Sequence, residues 1–336
     1  MRASTVRRFV EYIRRYHELS TRALLREAAI RSAQVAKPDG WISVKRTAEL
    51  LDTAAMKTNN AALTMTFAAQ LPWADYGVAA YVVLNSPTVG AALANACRYF
   101  ALHSTGAGTQ LVVEGQDAFV RYAMHDPTVV RHAQNTEMVF TVYVRAIRDG
   151  TGDPRWAPRA IHFKHEKPKN SSTQRDFFGC ELLYGQAEDA IIVEPDELRR
   201  PMRRADAGLF PILVVHANAG LPHYLDRDVH DRARSIVASS LRTGDVSIEH
   251  VATELGTSER TLQRRLQDRG TSFKQLVADT RLSLARDYLA DRGMSLTDAA
   301  YLLGYSELSA FSRAFRRWTG ESALAFRRRV ARRPPE

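Results

Sequence analysis

The chain has 336 residues, 45% of them hydrophobic and 25% charged, with a formal net charge of +10. That length and balance suit about two globular domains and exclude a disordered or low-complexity chain, and the basic excess favours an anionic partner, nucleic acid or an acidic membrane surface. Two cysteines, Cys97 and Cys180, are too few for a disulfide framework, and no secretory leader pattern precedes them, so the expected location is the cytoplasm.

Residues 1–19 are arginine-rich, yet Val6, Phe9, Val10 and Ile13 recur at helical spacing and predict an amphipathic helix. Leu24, Leu25, Ala28 and Ala29, then Leu50, Leu51 and Ala54, continue the helical stripes, so residues 1–100 read as mostly helical. The longest uncharged run lies between Asp75 and Arg98. Asn85-Ser86-Pro87-Thr88 breaks it, which predicts two short buried segments and a turn instead of a membrane span. Leu111-Val112-Val113 and Phe119-Val120-Arg121-Tyr122 flank Gly115-Gln116-Asp117, a hairpin signal. Residues 130–148 return to a helix, with Met138, Val139, Val142 and Ala146 on one side. Ile161-His162-Phe163 and residues 190–193 read as strands, with a turn or short helix at 176–179. Asn218-Ala219-Gly220-Leu221-Pro222 reads as a linker, and beyond it only helical patterns follow.

The last hundred residues contain a repeat. Residues 247–259 read SIEHVATELGTSE and residues 295–307 read SLTDAAYLLGYSE, identical at six of thirteen positions with an offset of 48. Each copy carries the parts of a helix-turn-helix. Ser247 or Ser295 caps the first helix, and Ala252 or Ala300 permits close packing. Leu255 or Leu303 belongs to the core, and Gly256 or Gly304 supplies the left-handed residue that ends the helix. Ser258 or Ser306 is the expected cap of the second helix, with Glu259 or Glu307 at its positive end. In ERTLQRRLQDR, Leu262 and Leu266 face inward, and Arg260, Gln263, Arg264 and Gln267 fall on the opposite side. In ELSAFSRAFRRW the inward pair is Phe311 and Phe315, with one extra residue relative to the first copy. Leu308, Ser309, Ser312, Arg313 and Arg316 face outward, and Arg317 stands beside them. Arg and Gln bond bidentately to guanine and adenine edges in the major groove, Ser reaches bases or phosphates, and Leu meets a thymine methyl.

One helical hairpin of this kind is a weak signal. Two copies at a fixed offset, each with an outward polar row, carry the DNA-binding reading. Residues 273–291 between them form an unbroken helical pattern with Leu276, Thr280, Leu284, Ala285 and Leu289 on its apolar side. At ~1.5 Å per residue the segment spans roughly 28 Å, suited to holding two readers about one DNA turn apart. Residues 225–336 hold 20 Lys and Arg against 15 Asp and Glu, half of the net excess in a third of the chain. Arg327, Arg328, Arg329, Arg332 and Arg333 make a tail suited to phosphates, although such tails are usually plain solvated ends.

Over about residues 228–329, and most specifically through AYLLGYSELSAFSRAFRRWTG, the sequence closely resembles the AraC/XylS family of bacterial transcription regulators. Matched position by position, the resemblance implies base reading by Arg260, Gln263 and Arg264 and by Leu308, Ser309, Ser312 and Arg313. One departure stands at Gly320-Glu321-Ser322, followed by Ala323 where the family has proline. Its loss weakens a preset turn without abolishing the fold. Less specifically, SPTVGAALANACRYF, WAPRAIHFKHEKP and RDFFGCELLYGQAEDAIIVEPDELRRPM resemble the effector domain of the branch labelled arabinose-binding-like. That label does not assign a sugar; it implies an α/β sensor and dimerisation domain with an unidentified small effector.

Other chemistry has less to stand on. His162 and His165, with Glu166 following, fall short of a metal ligand set, and on a strand the two histidines would point to opposite faces. Cys97 beside Arg98 fits a redox or alkylation sensor, but its Leu93 and Ala94 stripe favours packing, as does the setting of Cys180. TGAGTQL at 105–111 lacks the strand-then-helix context of a nucleotide loop. Trp41, Trp73, Tyr76, Tyr81, Tyr99 and Phe100 suit a pocket lining or, more commonly, plain core.

The expected architecture is therefore α+β in its first part: a mixed α/β effector-binding and dimerisation domain over residues 1–220. A linker follows at 221–227, then an all-α domain over 228–336 with two helix-turn-helix units joined by a long helix. The resemblance implies a homodimeric regulator on operator or promoter double-stranded DNA. It would be an activator contacting RNA polymerase more often than a repressor, under a small-molecule effector, with no cofactor, no metal, no membrane and no catalysis. Two alternatives stay open at this point: an N-terminal domain that only dimerises, or a cysteine-dependent enzyme or sensor fused to a DNA reader.

Overall fold

The computed structural model describes the chain apart from residues 38–39, 126–128, 130–131, 242–245, 291–293 and 332–336; at 222–228, 231, 235, 239, 287, 290, 330 and 331 it describes the backbone alone. The chain divides into two compact units, Met1–Asp228 and Val229–Glu336.

The first unit opens with seven helices among the described residues: α1 (Ala3–Tyr16), α2 (Thr21–Glu27), α3 (Ser32–Ala36), α4 (Val44–Lys57), α5 (Leu63–Gln70), α6 (Val78–Leu84) and α7 (Val89–Arg98). Helix α1 buries Val6, Phe9, Val10 and Ile13 and leaves Arg8, Arg14 and Arg15 exposed, as its spacing predicts. The uncharged run divides between α6 and α7. Ser86 Oγ donates to the Val82 carbonyl at 2.8 Å, and Thr88 Oγ1 caps α7 by accepting from the Ala91 amide at 3.2 Å. Among the described residues no helix is long and apolar enough to cross a membrane.

Strands β1 (Ala107–Glu114) and β2 (Asp117–Met124) form the predicted hairpin, closed by Gly115 at φ +61° and Gln116. Helix α8 (Ala133–Thr151), β3 (Ala160–His162), α9 (Ser172–Phe178), β4 (Glu181–Leu183) and β5 (Asp189–Val193) complete the αβ part. The sheet order is β1-β2-β5-β3-β4, antiparallel except for the β3–β4 pair, whose crossover carries α9. The short β4 carries no alternating pattern that the sequence could signal. Its register comes from pairing with β3.

One sheet face and α8 share the core. Val120 opposes Ile191 and Ala118 opposes Val193 in register, all buried. The Tyr122 and Phe163 rings flank Phe140 of α8, with centroids at 6.3 and 5.8 Å. Tyr143 of α8 bonds Thr109 of β1 through their hydroxyls at 2.7 Å. Deeper in, Gln134 binds the Ala61 carbonyl at 2.7 Å and the Thr64 hydroxyl, and Glu137 is fully buried. Its carboxylate accepts from Gln174 Nε2 at 3.1 Å and lies 3.5 Å from His165 Nε2. Burial pushes the Glu137 carboxyl up to about 8 from its ordinary 4.5; the Gln174 bond opposes the rise and the charge of Asp52 adds to it.

Helix α10 (Leu209–Ser240) runs through residues 218–222, where a linker was expected. Glycine and proline weaken a helix but do not forbid one when flanking apolar residues pack. Here Ala217 and Leu221 join Val82, Tyr99 and Leu102 in a cluster.

The second unit is all helix among its described residues: the end of α10, then α11 (Ile248–Glu254), α12 (Glu259–Gln267), α13 (Phe273–Ala290), α14 (Leu296–Leu302), α15 (Leu308–Thr319) and α16 (Ala323–Ala331). It has two cores. Val229, Ala233, Val237, Val251, Ala252, Leu262, Leu266 and Leu276 form the first, which is aliphatic. Leu241, Leu284, Ala285, Leu289, Ala300, Leu303, Phe311 and Phe315 form the second, with the rings of Tyr305, Trp318 and Phe326 against it. Helix α13 serves both. Thr280, expected on its apolar side, is buried between those contributions and returns its hydroxyl to the Leu276 carbonyl at 2.7 Å. The far end of the predicted 273–291 pattern, Asp291, lies outside the described residues.

The two helix-turn-helix glycines differ in their surroundings. Gly256 has φ +63° and open space around it, whereas Gly304 has φ +77° and a Cβ there would meet the Leu241 carbonyl oxygen at 2.6 Å. Gly256→Ala is expected to cost about 1–2 kcal/mol from the left-handed backbone alone. Gly304→Ala adds a collision with backbone, roughly 1–3 kcal/mol more. Urea unfolding of the full-length variants checks this, and equal losses at the two sites would refute the packing difference. Because the folded state holds the Glu137 proton more tightly than the unfolded chain does, the contribution of Glu137 to the stability of the first unit is full below about pH 4.5 and is lost as pH rises to about 8. Glu137→Gln should flatten that decline and raise the urea midpoint at pH 8. A wild-type midpoint that holds constant over this range would count against the buried, protonated carboxyl.

Candidate nucleic-acid interface

The interface is built from helix ends. Ser247 caps α11 by accepting from the His250 amide at 3.1 Å, and Ser295 caps α14 by accepting from Asp298 at 3.0 Å while donating to its carboxylate at 2.6 Å. Ser258 caps α12, accepting from the Thr261 amide at 3.3 Å. The second copy departs from the first here. Helix α15 starts at Leu308 with Glu307 as its N-cap and no side-chain cap, so Ser306 does not have the capping role expected of it. The one-residue insertion that moves the inward pair to Phe311 and Phe315 also moves the helix start, leaving Ser306 one residue too early. Glu307 instead accepts from the Ser309 hydroxyl at 2.9 Å.

The outward rows are where the spacing places them. Leu262 and Leu266 of α12 are buried, and Arg260, Gln263, Arg264 and Gln267 are exposed. Phe311, Ala314 and Phe315 of α15 are buried; Leu308, Ser309, Arg313 and Arg316 are exposed and Ser312 is half-buried. Arg317, which stands beside the outward row, is exposed too and extends the basic edge at i, i+3, i+4 spacing. Side chains that stand free in water beside a rigid helix can be desolvated by base edges or phosphates without breaking an internal pair.

The turn of the second unit is clamped from α13. Arg281 donates through Nε to the Leu303 carbonyl at 3.2 Å and lies over the Tyr305 ring at 5.2 Å from its centroid. The arginine tail is less uniform than its sequence suggests. Arg329 pairs with Glu321 at 2.7 Å, Arg328 is exposed, Arg327 is half-buried, and Arg332 and Arg333 lie outside the described residues.

Neither cysteine has the setting of a reactive thiol. Burial pushes the Cys97 thiol up to about 11 and the Cys180 thiol up to about 12, away from the thiolate. Among the described residues no three His, Cys, Asp or Glu side chains converge as a metal site, and His165 faces Glu137 instead.

A tandem pair of helix-turn-helix units behind an αβ domain defines a DNA-binding transcription regulator. Residues 19–202 match the arabinose-binding domain of AraC transcription regulators, and residues 251–329 match a helix-turn-helix domain. The chain belongs to the AraC family. It is 26% identical over 311 residues to the ornithine utilization regulator of Pseudomonas aeruginosa, covering 92% of this chain and 91% of that one. It is 29% identical over 255 residues to the regulator VirS of Mycobacterium tuberculosis, covering 75% of this chain and 74% of that one. The crystal structure of the regulator CdpR from Pseudomonas aeruginosa aligns over 91% of this chain and 96% of that one, at 21% identity and a TM-score of 0.45.

The unequal caps generate a test. Ser258→Ala is expected to lower the stability of the second unit by about 1 kcal/mol, the usual worth of an N-cap. Ser306→Ala should stay within about 0.5 kcal/mol, as at other exposed positions. Denaturant midpoints of the two variants decide it. A larger loss at Ser306 would mean that the second helix starts where the repeat, and not the insertion, puts it.

Proposed function

We propose that the protein is an effector-controlled transcription activator that acts as a homodimer. Residues 1–220 sense the effector and dimerise, and residues 228–336 read the operator. The observation that carries the DNA-reading part is the pair of exposed rows on α12 and α15, each backed by its own buried pair, Leu262 with Leu266 and Phe311 with Phe315. In this reading Arg260, Gln263, Arg264 and Gln267 read one major-groove segment, and Leu308, Ser309, Ser312, Arg313 and Arg316 read the next. Ser309 first gives up its bond to Glu307, or presents the pair together to a base that both donates and accepts.

Effector control, and activation through contact with RNA polymerase, are the habits of the family. The name of one relative, a regulator of ornithine utilization, supports regulation of a metabolic response without specifying the ligand of this chain. The high thiol pKa values at Cys97 and Cys180 weigh against the alternative of a cysteine-dependent enzyme or sensor. An effector can control DNA binding only by binding two arrangements of the protein with different affinity.

Selection of bound fragments from random DNA by the full-length chain at near-physiological salt is expected to return a motif about two helical turns long. Arg264→Ala or Arg313→Ala should each cost roughly 1–3 kcal/mol of specific binding and relax selection in one half of that motif. Uniform weakening across all sequences would reassign the residue to a phosphate. Recovery of random DNA by the wild type, with or without cell extract, would overturn sequence-specific reading.

A further inference from the structure

Inside the first unit an apolar cavity of about 90 Å³ lies between the start of α1 and helices α6, α7 and α8. Of the six aromatic residues singled out in the sequence as pocket candidates, Trp73, Tyr76, Tyr99 and Phe100 come together in its wall, while Trp41 and Tyr81 do not. Ala79, Ala80, Ala96 and Ala146 also face it, so the space exists because short side chains stand where longer ones would close it. No Asp, Glu, Lys or Arg is among the lining residues.

The polar group that stands out is His103. Its ring lines the cavity with Nε2 3.4 Å from the Thr5 hydroxyl, and its Nδ1 is buried with no hydrogen-bond partner. A buried ring nitrogen without a partner is costly, and a ligand hydroxyl or carbonyl would satisfy it. Burial, then the nearby N-terminal ammonium and Arg2, hold this imidazole down to about 3, so it stays neutral; the ammonium of Met1, another lining residue, donates to the Ile42 carbonyl at 2.8 Å, and no charged side chain lines the space to pair with an ionic ligand.

We propose that this cavity is the effector site, and that it takes a compact, uncharged, mainly apolar molecule with one hydrogen-bonding group, seated among Trp73, Tyr76, Phe100 and Tyr143 with that group on His103. The assignment of the site to the effector rests on the effector-controlled reading above. The volume limits the ligand to a molecule smaller than benzene, which occupies an apolar cavity of about 150 Å³; a short branched alcohol fits that limit. The site is also placed to act on α10. Tyr99, one of its walls, donates its hydroxyl to Asn218 of α10 at 2.9 Å and packs with Ala217 and Leu221. Ala79 and Val82 of α6 stand in the same cluster, so an occupant that shifts α6 or Tyr99 changes the seat of α10.

The test is thermal unfolding of the full-length chain with propan-2-ol, tert-butanol and isobutanol, against L-ornithine and benzoate as charged comparators. At least one neutral probe should raise Tm, and the charged compounds should not. Ala96→Leu and Ala146→Leu, made separately so that one misfolded variant does not end the experiment, should each fill the space and weaken the neutral probe at least tenfold. Trp73 fluorescence, read against Trp73→Phe, reports occupancy independently. Silence from every neutral probe, an undiminished response in a folded filled variant, or a response to ornithine alone would overturn the site. A Tm rise that follows the cavity variants, but with DNA affinity and transcription unchanged, would uphold the site and overturn effector control.

Discussion

Helix α13 is the member on which the DNA-binding unit depends. The two helical hairpins are built from helices of 7 to 12 residues, lengths that are marginal in isolation. The solution is one helix that is buried at both ends. Leu276 closes the first core; Leu284, Ala285 and Leu289 close the second. From Leu276 to Leu289 that is roughly 20 Å of helix, rigid because every turn of it is packed or hydrogen-bonded. Thr280 occupies the stretch between the cores, where no apolar partner waits, and its hydroxyl goes to the backbone one turn back.

The two halves that α13 joins are not equivalent. The first is aliphatic and its turn glycine faces open space, whereas the second is aromatic, with Phe311, Phe315, Tyr305 and Phe326 in edge and tilted contacts, its turn set against Leu241 and clamped by Arg281. The exposed row on α12 is richer in Arg and Gln, which suits direct base readout, while that on α15 mixes Leu and Ser with a basic edge.

In the first unit, the sheet and α8 bury several polar side chains that a minimal core would not contain. Glu137, Gln174, Gln134, Thr64 and Asp189 bond one another or nearby backbone, with Gln174 Oε1 left without a partner, and Asp189 accepts from the Lys164 amide at 2.9 Å. Such networks define one arrangement of loops around α8 at the expense of stability, because a half-satisfied member is costly. The apolar cavity lies on the other side of that helix, where Tyr143 and Ala146 line it.

Much of this was legible in the linear chain. The 48-residue repeat, the inward Leu262, Leu266, Phe311 and Phe315, the outward arginines and the Gly115 hairpin all follow from local periodicity and backbone preference, which act over a few residues and survive in any context. The family signature in residues 300–320 is local as well. Two features were decided only by contacts distant in sequence. Helix α10 runs through residues 218–222 against the local signals of Gly220 and Pro222, because residues a hundred positions earlier give Ala217 and Leu221 a surface to bury. Strand β4 exists because β3 offers it an edge. The missing cap at Ser306 is local instead: the residue inserted ahead of Phe311 moves the start of α15 by one. Sequence alone determined which faces are wet and which are dry, since that depends on spacing along one helix or strand. Tertiary structure decided that α10 continues and β4 pairs, and that Trp73, Tyr76, Tyr99 and Phe100 surround a common space, since that depends on which surfaces meet.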